Sequence, residues 1–481
     1  MVLELVGSRL LSPYMGTSII VWTSLIGIIL ASLSVGYWWG GAISDRNPNV
    51  KTFSRIIFSA AVLVFVMNIG KAYLLSFIQE HVSDIRIGTV IAAILLFAPP
   101  SILLGMVSPY AVRLKMHDVS TSGSTVGRLY AISTIGSIFG TFLAGFFLIS
   151  YFGSTDVIFL LSGILLLTSI LAQWRSGLKT KMAMLLFILI LPRFSAIAAL
   201  QNPKNLQELI DVDTQYSRIW IYDLIDKESR RPLRSMSTGP GTSQSTMYLD
   251  MESDLYSKYF EFFDIIGAIK ADPKKALMIG GAAYVYPRHF LATFPETKMD
   301  VVEIDPKLIA LAKKHFNLRD DPRLTVYHED GRSFLNKTQN KYDVIFGDAY
   351  KADAGIPHQL TTREAVQKMH DALISDGVVL LNIFSIEPPL QSDFLRVEYK
   401  TFQSVFSQVY VFKVDQAKNI NDARQSIILM AIKSDDPSFA NPSDSALFGY
   451  MDHLISDPLE TDLPILTDEF APVDHYTSYG K

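Results

Sequence analysis

Ala276-Leu-Met-Ile-Gly-Gly-Ala-Ala283, followed by Met299-Asp-Val-Val-Glu-Ile-Asp-Pro306, decides the fold of the second half of this chain. Four apolar residues run into a tight small-residue turn, and a second short β-branched run ends on an acid. Residues 286–294 between them read as a helix, and so do residues 306–316 beyond. Further out, Leu324-Thr-Val-Tyr327, Tyr342-Asp-Val-Ile-Phe346 and Val378-Val-Leu-Leu-Asn382 read as strands, with helices near 330–337, 362–374 and 394–405. Strands that alternate with helices imply a doubly wound parallel sheet of the α/β class, because parallel neighbours need a helix-length crossover. Ligands of such sheets sit beyond the carboxyl ends of the strands, so the residues to read are those just after each strand.

Gly280-Gly281-Ala282-Ala283 would admit a ligand close to the backbone, although a plain packing turn explains four small residues as well. Glu303 ends the second strand, where a carboxylate offers acceptors to both hydroxyls of a ribose. After the third strand comes Glu329-Asp330-Gly331, in which Asp330 can accept an adenine amino hydrogen. After the fourth comes Gly347-Asp348-Ala349-Tyr350. Taken singly, each acidic residue also reads as a helix N-cap. Their recurrence at three successive strand ends, behind a small-residue turn, points to a ligand site.

The first half is built for a different solvent. The 481 residues carry 19% charged side chains, a formal net charge of −4 and no cysteine, and the mean hydropathy is +0.25. Residues 1–200 hold 13 Lys/Arg and 6 Asp/Glu, and residues 201–481 hold the other 30 and 41. Residues 16–44, 87–112, 129–155 and 157–174 are free of charge, and 56–79 are interrupted only by Lys71. About 20 apolar residues cross the hydrocarbon of a bilayer, so these are five expected spans. Residues 182–192, then Arg193, then 194–200 read as a short sixth span, an interfacial helix or a signal-like stretch. The loops 45–55, 113–128 and 175–181 carry nine Lys/Arg, against Arg9, Lys71 and Arg86 on the other side, which makes the nine-charge side cytoplasmic. The sixth segment then decides which side the second half faces.

Absence of cysteine excludes disulfides, cysteine zinc sites, iron–sulfur clusters and thiol catalysis. The nine histidines are scattered and form no His-Glu-x-x-His, so no metal is expected. Weak net acidity argues against nucleic acid as a partner.

The strand-end residues resemble the AdoMet-type (Rossmann-like) fold and, within it, the spermidine synthase (polyamine aminopropyltransferase) family. Tyr216-Ser-Arg-Ile-Trp-Ile-Tyr-Asp223 is similar to the opening strand of that family's small N-terminal β-domain. Gln244-Ser245 followed by the acidic stretch from Asp250 to Tyr256 is similar to its Gln-Ser, acidic and Tyr elements. Val301-Val-Glu-Ile-Asp-Pro306 and Asp330-Gly331 match its motifs closely. Glu4-Leu-Val-Gly-Ser-Arg-Leu-Leu-Ser-Pro-Tyr14, Gly36-Tyr-Trp-Trp-Gly40 and Leu466-Thr-Asp-Glu-Phe-Ala-Pro-Val-Asp474 resemble the bacterial proteins in which such a domain is fused to a multi-span membrane bundle. The expected organisation is a transmembrane helical domain (1–200), a small β-rich domain (201–265), the Rossmann-like domain (266–435) and a C-terminal tail (436–481).

The resemblance implies transfer of an aminopropyl group from decarboxylated AdoMet to an amine, with release of methylthioadenosine. It implies Asp348 as base, Tyr256 as its hydrogen-bonding companion, and Glu303 as ribose ligand. Asp330 with Gly331 would form the adenine site, Gly280 and Gly281 the turn at the nucleoside, and Gln244 a contact to it, while Tyr350 and Asp353 would face the acceptor. The family's Gly-Gly-Gly-Asp-Gly is here Gly280-Gly-Ala-Ala-Tyr284, and the second Asp of its Asp-x-x-Asp-Pro loop falls on Lys351. The nucleoside end is kept and the polyamine end rewritten. Two alternatives stay open: a methyltransferase using AdoMet itself, and a nucleoside- or polyamine-binding or transport-related protein without chemistry. The expected partners are a lipid bilayer and a small amine or polyamine, with a homo-oligomer left open, and the expected place is a bacterial inner (plasma) membrane, multi-pass.

Overall fold

The computed structural model describes residues 1–16, 18–82, 84–116, 118, 122–149, 152–174, 181–182, 207–238, 243–251, 253–349, 356–385, 391–415, 425–434, 449–456, 459 and 461–477. The chain divides into two compact units, Met1–Ile219 and Trp220–Lys481.

The first unit is helical: α1 (Val2–Met15), α2 (Ile19–Arg46), α3 (Val50–His81), α4 (Ile85–Lys115), α5 (Ser122–Phe142) with a π-helical continuation Leu143–Leu148, and α6 (Ser154–Ala172). Among the described residues, α2, α3, α4, α5 with its continuation, and α6 are long and apolar enough to cross a membrane. They coincide with the five charge-free runs. The fourth and fifth of these helices are divided at Gly153, which stands in an extended conformation before α6. The apolar start of the chain, too short to span, forms part of α1, whose Leu3, Val6, Leu10 and Leu11 are buried. α4 continues through Pro99, Pro100 and Pro109. α2 and α4 meet backbone to backbone: a Cβ on Gly36 would lie 2.2 Å from the carbonyl oxygen of Ile102, and one on Gly40 2.6 Å from Cα of Met106. Four-residue spacing of small residues brings them to one helix face, which permits that approach. The sixth candidate segment lies outside the described residues beyond Met182.

A strand, β1 (Gln207–Asp213), closes this unit, and β2 (Arg218–Ile225) begins at the division. In the second unit β2, β3 (Pro232–Ser237) and β4 (Ser245–Tyr248) pair antiparallel in sequence order. Two short helices, α7 (Lys258–Phe263) and α8 (Ile265–Ile269), lead into the large sheet. Its elements are β5 (Lys275–Ile279), α9 (Val285–Thr293), β6 (Lys298–Val302), α10 (Pro306–His315), β7 (Leu324–Tyr327), α11 (Gly331–Lys337), β8 (Tyr342–Gly347), α12 (Arg363–Ala372), β9 (Leu373–Ser385), α13 (Asp393–Gln403), β10 (Gln408–Lys413) and β11 (Gln425–Ile432).

The seven strands lie in the order β10-β11-β9-β8-β5-β6-β7. β5 to β9 are parallel, as the alternation predicts; the central β5, β6 and β8 are almost wholly buried, as strands covered on both faces must be, while the edge strand β7 is only partly so. At one edge the sheet is mixed, because β11 runs antiparallel to both β9 and β10. No helix separates β10 from β11 among the described residues, so the alternation rule had nothing to act on there. Part of the C-terminal stretch belongs to the same core: Leu466, Val473 and Tyr476, the last two on α14 (Val473–Thr477), pack with the sheet residues. Strand order runs outward in opposite directions from β5 and β8, and the crevice at such a switch point is where ligands bind.

Candidate active site

The turn after β5 is forced by close backbone approach. Gly280 has φ +96°, and a Cβ there would sit 2.4 Å from the carbonyl oxygen of Asp348. Its N–H donates to Val302 O at 2.9 Å, while Asp348 N–H donates to Ile279 O at 2.9 Å, so the ends of β5, β6 and β8 are pinned to one another. Ala282 and Tyr284 also have left-handed φ values, 43° and 56°. The Tyr284 ring lies against Gly281, whose Cβ would be 2.8 Å from its Cζ; the hydroxyl is buried with no hydrogen-bond partner among the described residues.

Glu303 holds this turn from below. Its Oε2 accepts from the N–H groups of Gly281 (2.8 Å) and Ala282 (3.1 Å), and Oε1 accepts from Asp305 N–H at 3.0 Å. Burial raises its pKa above the usual range, and the three backbone donors only partly oppose this. A carboxylate has about four lone-pair sites, so Oε1 keeps one free for a ligand hydroxyl.

Asp330 caps α11, its Oδ1 accepting from Ser333 N–H at 3.0 Å, and its Oδ2 accepts from Gln359 Nε2 at 3.1 Å. Gly331 is packed so tightly that a Cβ would meet Ile279 Cγ2 at 2.7 Å. Gln244 is half-buried beside β4 and donates from Nε2 to Thr238 Oγ1 at 3.0 Å. The neighbouring Ser245 hydroxyl accepts from Ala283 N–H at 3.5 Å, which brings β4 to the glycine turn.

Asp348 stands at the end of β8. Tyr259 OH donates to its Oδ2 at 3.1 Å and Asn382 Nδ2 to its Oδ1 at 3.0 Å. Burial pushes its pKa up from 3.8 to about 7, and these two hydrogen bonds pull the other way. The tyrosine on Asp348 is therefore Tyr259 and not the expected Tyr256. Tyr256 precedes α7 and sets its ring edge-on to Tyr248, with centroids 5.7 Å apart. Tyr259 lies on α7 itself, which Phe263 docks onto Phe346 of β8 with centroids 5.1 Å apart. Two tyrosines three residues apart look alike in sequence, and only the docking of α7 separates them. Asn382 was also missed, although one amide ending the run Val378-Val-Leu-Leu was a visible signal. Tyr350 and Asp353 lie outside the described residues. Among the described residues no group of three His, Asp or Glu could hold a metal ion.

Residues 262–436 match the spermine/spermidine synthase domain family. The C-terminal part of this chain carries a spermine/spermidine synthase domain. A polyamine aminopropyltransferase of Vibrio vulnificus is 33% identical to the chain over 147 residues, covering 30% of this chain and 47% of that protein. A probable polyamine aminopropyl transferase of Bifidobacterium longum is 26% identical over 276 residues, 53% of this chain and 60% of the relative. The chain thus spans about half the length of the curated relatives it matches. A solved probable spermidine synthase from Corynebacterium glutamicum has 22% identity and a TM-score of 0.41, covering 50% of this chain and 84% of that one. In the synthase domain here, Glu303, Asp330 and Asp348 all stand at strand ends of the large sheet, around the switch point.

Proposed function

We propose that this chain is a multi-pass membrane aminopropyltransferase that moves an aminopropyl group from decarboxylated AdoMet to an amine acceptor. The observation that carries the reading is Asp348, a buried carboxyl at the switch point whose pKa is raised to about 7. An amine attacks only when neutral, yet its solution pKa is about 10. An exposed Asp is too weak to take that proton, whereas Asp348 is matched to the task near neutral pH. In the transfer, the amine nitrogen bonds to the carbon beside the sulfonium, and the carbon–sulfur bond breaks with its electron pair going to sulfur. Neutral methylthioadenosine leaves, and the nitrogen's proton goes to Asp348.

The remaining roles belong to the same reading. The free lone pair of Glu303 Oε1 takes a ribose hydroxyl, while the backbone at Gly280 and Gly281 faces the nucleoside. Asp330, with two lone-pair sites beyond its cap and Gln359, takes the adenine amino group above Gly331. Gln244 contacts the nucleoside side, and Tyr350 and Asp353 are assigned to the acceptor. Tyr259 and Asn382 hold the base, and Tyr256 is kept as a neighbouring aromatic contact. The membrane assignment rests on the five apolar helices, and its placement in a bacterial plasma membrane on the resemblance carried by Gly36-Tyr-Trp-Trp-Gly40 and residues 466–474.

A second reading, methyl transfer from AdoMet, is favoured by a 29% identical stretch of 135 residues shared with an eEF1A lysine and N-terminal methyltransferase of Xenopus laevis. Incubating the full chain with decarboxylated AdoMet or AdoMet and a panel of amines decides between them. Methylthioadenosine supports aminopropyl transfer, and S-adenosylhomocysteine supports the second reading. Nucleoside binding without either product rules out both in favour of a binding protein.

A further inference from the structure

The unit Met1–Ile219 has two distinguishable ends. At one, the Tyr110 hydroxyl of α4 bonds to the carbonyl of Asn47 after α2, and Ser54 at the start of α3 bonds to Ser169 O near the end of α6 at 2.8 Å. Lys181 Nζ joins them, donating to Ser54 Oγ at 2.6 Å. At the other, Gly88 at the start of α4 lies against Ile78 and Val82 at the end of α3 and Met15 at the end of α1. Lys71, late in α3, donates to Thr155 Oγ1 at the start of α6 at 2.7 Å. Of the nine Lys/Arg of the three basic loops, Arg46, Lys51, Arg55, Arg113, Lys115 and Lys181 lie at the first end, and the second has Arg9, Lys71 and Arg86.

The last segment of this unit is fastened to the second end. Arg9 Nη2 donates to Thr214 O at 2.7 Å and Nη1 to Gln215 O. Ser154 N–H, at the start of α6, donates to Asp213 Oδ2 at 2.6 Å. Arg218 grips Asp211 with two bonds of 2.7 and 2.6 Å, closing the turn from which the chain leaves at Ile219.

We infer that the chain emerges from its helical unit on the non-cytoplasmic side, so that residues 220–481, Asp348 included, work outside the cytoplasm. The nine-charge end faces the cytoplasm by the bias of Lys and Arg in short loops, and Asp213, Thr214 and Gln215 are held at the opposite end. The inference rests on the membrane reading of the five helices. Donor and acceptor must then be supplied on that side, by export or from the surroundings.

The chain has no cysteine, so single introduced thiols report sidedness without background. Three variants of the full protein, Lys51→Cys at the nine-charge end, His81→Cys at the other and Lys227→Cys in the β2–β3 turn, all at exposed positions, are exposed to a membrane-impermeant maleimide in spheroplasts. Lys227→Cys and His81→Cys should label equally before and after lysis, and Lys51→Cys only after it. Protection of Lys227→Cys until lysis overturns the inference, whether or not His81→Cys labels. Recovery of the protein in the soluble fraction after an alkaline wash overturns the membrane reading itself, and is distinguishable because the protein then leaves the membrane pellet, with all three positions, His81→Cys included, protected until lysis.

Discussion

Both oxygens of Asp348 accept a hydrogen bond from a named side chain, yet burial keeps the group protonated up to about pH 7. Asp348→Asn should lower turnover by about 10²–10⁴ while leaving methylthioadenosine binding, read by calorimetry, within error of wild type. The same substitution should raise the melting temperature at pH 8 and have little effect at pH 4. The unfolded carboxyl ionises near 3.8 and the folded one near 7. As pH rises through that window the unfolded state gains, reaching up to about 4 kcal/mol above pH 7. Tyr259→Phe and Asn382→Leu each remove a donor to the ionised form, so both should move the rising limb of the pH–rate profile to higher pH. Tyr256→Phe should not move it, and an equal shift there would return the companion role to Tyr256.

At the level of elements, the turn after β5 joins local backbone strain to the switch point. Gly280→Ala puts a methyl group into the Asp348 carbonyl at a φ that L side chains avoid. It should cost more than about 2 kcal/mol by denaturant unfolding and reduce nucleoside binding along with stability. Strands β5 to β9 were legible in the sequence because each is a short apolar run between helical stretches. The ends of β6 and β8 were legible because Glu303 and Asp348 interrupt apolar runs with charge. The β10–β11 hairpin was not, since a strand pair without a crossover helix lacks the periodicity switch that marks the others. The partner of Asp348 was not either: it depends on which turn of chain the aromatic face of α7 presents to β8, a tertiary choice that spacing does not encode. Asp330 has room for the proposed ligand beside its cap, since a carboxylate that caps α11 through one oxygen still has lone pairs free.

Over the whole molecule, several carboxyls pull stability in one direction. Asp348, Glu303 and Glu398 all have pKa values raised by burial, and both Glu398 oxygens lack hydrogen-bond partners among the described residues. Each contributes stability that is intact below its unfolded pKa and is lost as pH rises toward its folded one. The unfolding transition of the synthase domain, followed by near-ultraviolet circular dichroism in detergent, should therefore come at higher temperature at pH 5 than at pH 8. Glu398→Gln should flatten that dependence without changing the pH–rate profile, because the residue lies outside the Asp348 cluster.

The helical unit has a mechanical consequence of its own. Where Gly36, Gly40 and Gly105 let the backbones of α2 and α4 touch, no layer of side chains remains for one helix to slide across the other. The pair must move as a single beam. α5, none of whose described side chains is buried, shares no such backbone contact with that beam.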